Sequence, residues 1–170
     1  AQIGQQKSYM IAVSVPIGTN PYASMEILRG VAQAQNEMNQ SGGIKGVPVK
    51  VAIANDDNNP EIAQQIATEL AKNREILGVI GPYASDVSLA AGKAYESGQL
   101  VAISPISTPV KLSSFSRYFF RTVPSDYVAA RGLADYMLTK FQKKNAAVFF
   151  SSQSSYSQSL KSEFVTAVSL

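Results

Sequence analysis

The stretch from Ile76 to Thr108, ILGVIGPYASDVSLAAGKAYESGQLVAISPIST, constrains the fold more than any other part of the chain. Ile76 to Ile80 is a short apolar run of the length and composition of a buried parallel strand. Gly81-Pro82-Tyr83-Ala84 breaks it, and Ser85-Asp86 supplies the N-cap signal of a helix. That helix carries Val87, Leu89, Ala90, Ala91, Ala94 and Tyr95, with Gly98 expected as its C′ residue. Leu100 to Ile103 is a second apolar strand, running into Ser104-Pro105-Ile106-Ser107-Thr108. The pattern is a βαβ unit whose two neighbouring strands both end in hydroxyl-rich turns.

The flanking sequence repeats the alternation. Tyr9 to Ile17 reads as a central first strand, followed by a loop at Gly18-Thr19-Asn20-Pro21-Tyr22. From about Ala23 to Asn39, Ile27, Val31, Ala34 and Met38 recur on one helical face, and Ser41-Gly42-Gly43 stops the helix. A second strand spans 47–54. Asn59 and Pro60 form an N-cap and first-residue pair for a helix over 60–73, with Ile62, Ala63, Ile66, Ala67 and Leu70 inward. Residues 118–123 read as a strand, and a helix from Tyr127 to about Phe141 is expected to turn Val128, Leu133, Tyr136 and Met137 inward. Arg121 is expected to pin the preceding loop to nearby carbonyls or a carboxylate.

Lys143-Lys144-Asn145 marks a boundary, followed by a strand at 146–150 and a helical pattern at Leu160, Phe164 and Val168. The expected fold class is α/β: an open parallel sheet with helices on both faces, strand order 2-1-3-4-5 and right-handed crossovers. The expected domains are a linker or tag remnant at 1–8, a first ligand-binding lobe at 9–143, and the start of a truncated second lobe at 144–170. One strand and one helix cannot bury themselves, which is why the last unit reads as incomplete.

In such a sheet, ligands sit beyond the carboxyl ends of the strands. Ser85 at a helix N-terminus and Thr108 on the adjacent loop would face each other there, beside unpaired N–H groups suited to a carboxylate. Either residue alone would serve equally well as a cap or a turn; two such turns on adjacent strands favour a site.

The chain has no cysteine and no histidine. Thiolate chemistry, disulfides, histidine metal sites and histidine-dependent triads are therefore excluded. Asp56-Asp57 lacks the ligand spacing of a calcium loop and reads as turn and cap, so no metal and no cofactor is expected. The first strand leads to Gly18-Thr19-Asn20-Pro21 and not to a dinucleotide-binding glycine motif. Catalysis would rest on Ser, Asp and Lys alone, and the chain is read as a binder, not an enzyme. A net charge of +3 without a basic stripe argues against a nucleic-acid partner. No apolar run is long enough to insert in a membrane.

GPYAS and ISPIST, together with MIAVSVPIG, GVAQAQNEMNQSGGIKGVPVKV and NDDNNPEIA, resemble in their order the first lobe of type I periplasmic binding proteins of the branched-chain amino-acid type. These are solute-binding components of ABC importers. The resemblance implies that the Ser85 hydroxyl binds the α-carboxylate of an amino acid, that the Ile106 carbonyl accepts from its ammonium, and that Thr108 contacts the same groups. It implies that Tyr156 is the second-lobe aromatic that closes over the ligand, and that Tyr22 and Ala23 set side-chain selectivity. The family's acidic anchor for the ammonium usually lies further along the second lobe than this chain reaches, and the paired cysteines of some members are missing. The implied function is capture of an amino acid or similar small polar solute by two-lobe closure, with a membrane permease as partner and a periplasmic or extracellular location. The same fold also serves as the ligand-sensing domain of receptors and signalling proteins.

Overall fold

A computed structural model describes residues 7–169. Most of the expected linker at 1–8 lies outside those residues. Five strands form one sheet: β1 (Tyr9–Val15), β2 (Val49–Asn55), β3 (Ile76–Ile80), β4 (Ala102–Ser104) and β5 (Phe119–Arg121). All neighbours are parallel, in the order β2-β1-β3-β4-β5. Parallel pairing requires a crossover between strands, and helices α1 (Pro21–Gln40), α2 (Pro60–Lys72) and α3 (Ser85–Gly98) supply the first three. The Asn59-Pro60 start signal acts as the residues suggest, whereas α1 begins at Pro21, inside the stretch read as a loop. Asn20 caps α1 by accepting from the Ala23 amide, and Asn59 caps α2 by accepting from the amides of Glu61 and Ile62, with Pro60 at the first helical position.

Alternation along the strands sends successive side chains to opposite faces. Ala12, Val79, Ala102 and Phe119 share a register row and meet Ala63 and Ala67 of α2 and Val87, Ala91 and Tyr95 of α3 in the main core. Small residues let the helices come close. A Cβ on Gly98 would stand 2.4 Å from the Ala71 Cβ of α2. Gly98 is therefore the last helical residue at a tight helix–helix approach, and the left-handed residue that ends α3 is Gln99, at φ 55°. The expected C′ glycine is corrected by one position.

The next row, on the opposite face, runs Ile53–Val13–Ile80–Ile103–Phe120 across all five strands. Val13 and Val15 are fully buried, and α1 lies against β1 and β2. Beyond that helix the row is open: Ile53 is 59% exposed and Phe120 51%.

Two expectations change in the last third of the chain. The helix after β5 is α4 (Asp126–Asp135), continued by a π-helical turn over Tyr136–Lys140. Its inward residues are Ala130 and Ala134, while Val128, Leu133 and Tyr136 are half exposed. The cause is its partner: α4 packs on helix α5 (Ser155–Val168), and Leu133 and Met137 line a groove between the two helices instead of joining the main core. The expected strand at 146–150 does not form, and Phe149 is 96% exposed. An extended apolar segment becomes a strand only when a neighbour takes its N–H and C=O groups, and no strand lies beside it among the described residues.

Candidate functional site

Because every strand runs the same way, the turns after β3 and β4 meet at one edge of the sheet. Gly81 begins the first turn at φ +109°, where a Cβ would lie 2.3 Å from the Ser14 carbonyl oxygen of β1. Only glycine allows the turn to press that closely on β1. α3 then starts at Ser85, preceded by Ala84, which has no side chain to cap it. Ser85 is thus the first helical residue and not the cap, and the first-turn amides of α3 have no intrahelical partner. The Ser85 residue is 6% exposed.

A buried hydroxyl network joins the two turns. The Ser104 hydroxyl donates to the Pro82 carbonyl at 2.8 Å and accepts from the Ser107 amide at 3.1 Å. The Ser107 hydroxyl donates to the Tyr83 carbonyl at 3.1 Å and lies 2.7 Å from the Ser88 hydroxyl. The Ser88 hydroxyl has its own carbonyl acceptor in Pro82 at 3.4 Å, so either serine can be the donor in that pair. Sequence reading did not single out Ser88, Ser104 or Ser107 as residues that position the site. The available signal was Ser88 one helical turn after Ser85, facing serines in the next turn.

Arg121 locks the far side of the second turn, donating to the carbonyls of Thr108 at 3.0 Å and Pro109 at 2.9 Å and to the Ser113 hydroxyl. This is the pin expected of it. Burial lowers the proton affinity of its guanidinium, opposed by the nearby Asp126 carboxylate. The Asp126 amide closes the arrangement by donating to the Thr108 carbonyl at 2.9 Å.

These contacts shape a cavity of about 370 Å³ that brings Ser85, Ile106, Thr108 and Tyr156 together with Asp86 and Ser154. The Thr108 Oγ1 atom is buried without a hydrogen-bond partner, so the cavity wall holds a donor and acceptor with nothing to satisfy it. Tyr156 sits in the first turn of α5. Asp86 meets that helix: its Oδ1 accepts from the Ser155 amide at 3.3 Å and from the Ser155 hydroxyl. Tyr22 and Ala23 stand at the same sheet edge, at the start of α1, but do not line this cavity, and Tyr22 is 83% exposed.

A wider groove of about 590 Å³ runs between α4, residues 147–150 and α5, lined by Leu133, Met137, Phe149 and Phe164, with Ser157, Lys161, Tyr136 and Tyr156 as its polar members, so that Tyr156 borders both spaces. It is larger but lacks converging donors, so the smaller cavity is the chemically specific one. Among the described residues no cluster of acidic side chains is arranged to hold a metal. Asp56 instead accepts from the Ser14 hydroxyl at 2.7 Å and the Asn58 amide at 2.9 Å, as turn and cap duty requires.

The smaller cavity therefore presents the first-turn amides of α3 and the Ser85 and Thr108 hydroxyls beside the backbone of Ile106, while the one carboxylate in its lining, Asp86, is engaged by Ser155. Amides and hydroxyls gathered at a helix N-terminus suit the anionic group of a small solute. Comparison with known proteins identifies the family. The periplasmic binding protein family matches residues 9–169. An amino acid binding protein from Pseudomonas aeruginosa is 28% identical over 141 residues, covering 82% of this chain and 38% of the relative. The Leu/Ile/Val-binding protein of Escherichia coli is 28% identical over 143 residues, covering 84% and 38%. Among solved structures, the ABC transporter substrate-binding protein from Desulfitobacterium hafniense in complex with Leu superposes with a TM-score of 0.83 at 29% identity, over 96% of this chain and 48% of that one. The chain thus spans less than half the length of these relatives. No helix among the described residues is long and apolar enough to cross a membrane. With a family match running from the first residue of β1 to the residue after α5, the chain belongs to the periplasmic binding protein family.

Proposed function

We propose that this chain holds an amino acid or similar small polar solute on behalf of an ABC importer, outside the cytoplasm, by binding and without making or breaking a bond. The observation that carries the reading is the meeting of Ser85, Ile106 and Thr108 at the N-terminus of α3, with an unpartnered Thr108 hydroxyl in the wall. A carboxylate at that helix end gains the first-turn amides, the Ser85 and Thr108 hydroxyls and the partial positive charge of the helix. The Ile106 carbonyl is the acceptor for an ammonium. Residues 9–143 form the first lobe, and 144–170 begin the second, with Tyr156 as the side chain that closes over the ligand. Tyr22 and Ala23, outside the cavity on the same edge, meet the ligand's outer end and bias which side chain is accepted.

The relatives named for amino acids or Leu/Ile/Val, and the one solved with Leu, support amino acids as the first compounds to try. Titration calorimetry of the chain against L-leucine, L-isoleucine, L-valine and polar amino acids tests the reading. Binding is expected for at least one of them. Ser85→Ala is expected to weaken it by about tenfold or more, the value of a hydrogen bond to a charged group. Absence of binding to the whole panel at millimolar concentration, or an unchanged affinity in Ser85→Ala, rejects it.

A further inference from the structure

The link between α3 and α5 is made by a residue that the proposed ligand contacts do not use. Asp86 is the second residue of α3, directly after Ser85, yet its carboxylate turns to the N-terminus of another helix. Its Oδ1 takes the Ser155 amide at 3.3 Å and the Ser155 hydroxyl, across 69 positions of sequence. Ser155 is the first residue of α5, and its own cap, Ser154, accepts only from the Ser157 amide. The orphan amide of Ser155 is thus satisfied from outside the helix. The next residue is Tyr156, in the wall of the cavity opposite Ser85 and Thr108.

We infer that Asp86 is a positioning residue: it caps α5 from α3 and thereby fixes Tyr156 over the ligand cavity. This rests on the binding reading above and deepens it by naming what holds the closing side chain. Three features support it. Residues 142–150 before the helix carry no regular structure, so the chain leading into α5 does not orient its first turn. One further polar contact ties α5 to the first lobe, from the Val110 amide to the Ser159 hydroxyl at 3.2 Å, a full turn beyond Tyr156. A carboxylate at a helix N-terminus is also favoured by the field of that helix, and here the favoured helix belongs to the other lobe.

The test has two arms on the full chain. In the first, without ligand, amide hydrogen exchange is followed at Ser155 and Tyr156 in Asp86→Ala and Asp86→Asn. Asp86→Ala is expected to speed exchange at Ser155 by about fivefold, the size of a lost cap. Asp86→Asn, which keeps an oxygen acceptor, is expected to stay close to the parent. In the second arm, affinity for L-leucine is measured in a cycle of Asp86→Ala and Tyr156→Ala. A loss of about fivefold for Asp86→Ala is expected, and it should vanish once Tyr156 is absent. Unchanged exchange at Ser155 overturns the inference. So does a loss of affinity that persists in the Tyr156→Ala background, because Asp86 would then act on the ligand directly. If L-leucine does not bind the parent chain, the second arm counts against the binding reading, and the exchange arm still decides whether Asp86 holds α5.

Discussion

The hydroxyls of Ser88 and Ser107 lie 2.7 Å apart, 19 positions from each other in sequence and buried between α3 and the turn after β4. Ser107 also reaches the Tyr83 carbonyl and Ser88 the Pro82 carbonyl, and either hydroxyl can donate across the pair. The pair joins the turn that leads to Ser85 to the turn that carries Thr108.

Ser107→Ala removes the donor to the Tyr83 carbonyl and leaves the Ser88 hydroxyl only its longer bond to the Pro82 carbonyl at 3.4 Å. A cost of about 1–3 kcal/mol is expected, as for buried groups left unsatisfied. The double replacement Ser88→Ala with Ser107→Ala should cost less than the sum of the two single ones. Urea unfolding of the three variants checks this, and strict additivity would show that the hydroxyls do not interact.

Tyr95 gives a pH dependence of known sign. Its hydroxyl is buried with no partner, and burial, helped by the negative charge of Asp56, pushes its pKa well above the ordinary phenol value. The folded state therefore holds this proton more tightly than the unfolded state. The contribution is fully present below about pH 10, the unfolded value, and is lost as pH rises towards the folded one. Melting temperature is expected to fall above about pH 10 in the parent and to fall less steeply in Tyr95→Phe. At neutral pH Tyr95→Phe should be neutral or stabilising by up to about 1 kcal/mol, since no hydrogen bond is lost.

The end of α3 separates two glycine effects. Gly98→Ala places a methyl group 2.4 Å from the Ala71 Cβ, and forcing α2 and α3 apart is expected to cost about 1–3 kcal/mol. One residue later, Gln99 holds a left-handed conformation at φ 55°. Gln99→Gly is expected to stabilise the chain by about 1 kcal/mol by removing that strain. Thermal melts of the two variants should move in opposite directions.

The open row on the second face of the sheet should be visible in solution. Ile103 and Phe120 are exposed beside one another in register, with Ile53 exposed at the far edge of the same row, and exposed apolar surface of this kind binds apolar dyes and promotes association. The chain is expected to bind anilinonaphthalene sulfonate at neutral pH. Replacing Ile103 and Phe120 with lysine should reduce that signal without lowering the helical circular dichroism. Equal dye binding by parent and variant would show that the row is covered.

Local chemistry was sufficient to read much of this protein from its residues. The strand order, the cap at Asn59, the alanine-lined face of α2 and the two hydroxyl-rich turns all follow from short-range patterns: apolar period, turn residues and the fixed geometry of βαβ crossovers. Parallel strands share one carboxyl edge, and that alone brings Ser85 and Thr108 near each other. Other features depended on which surfaces meet in three dimensions. Residues 146–150 have a strand's composition but no neighbour to take their backbone groups. Val128 and Leu133 are half exposed because α4 packs on α5 and not into the main core. The bonds from Asp86 to Ser155 and from Ser88 to Ser107 join residues with no sequence relation. Period and propensity act over a few residues, whereas the partner of a buried polar group or an apolar face is whichever element the folded chain brings against it.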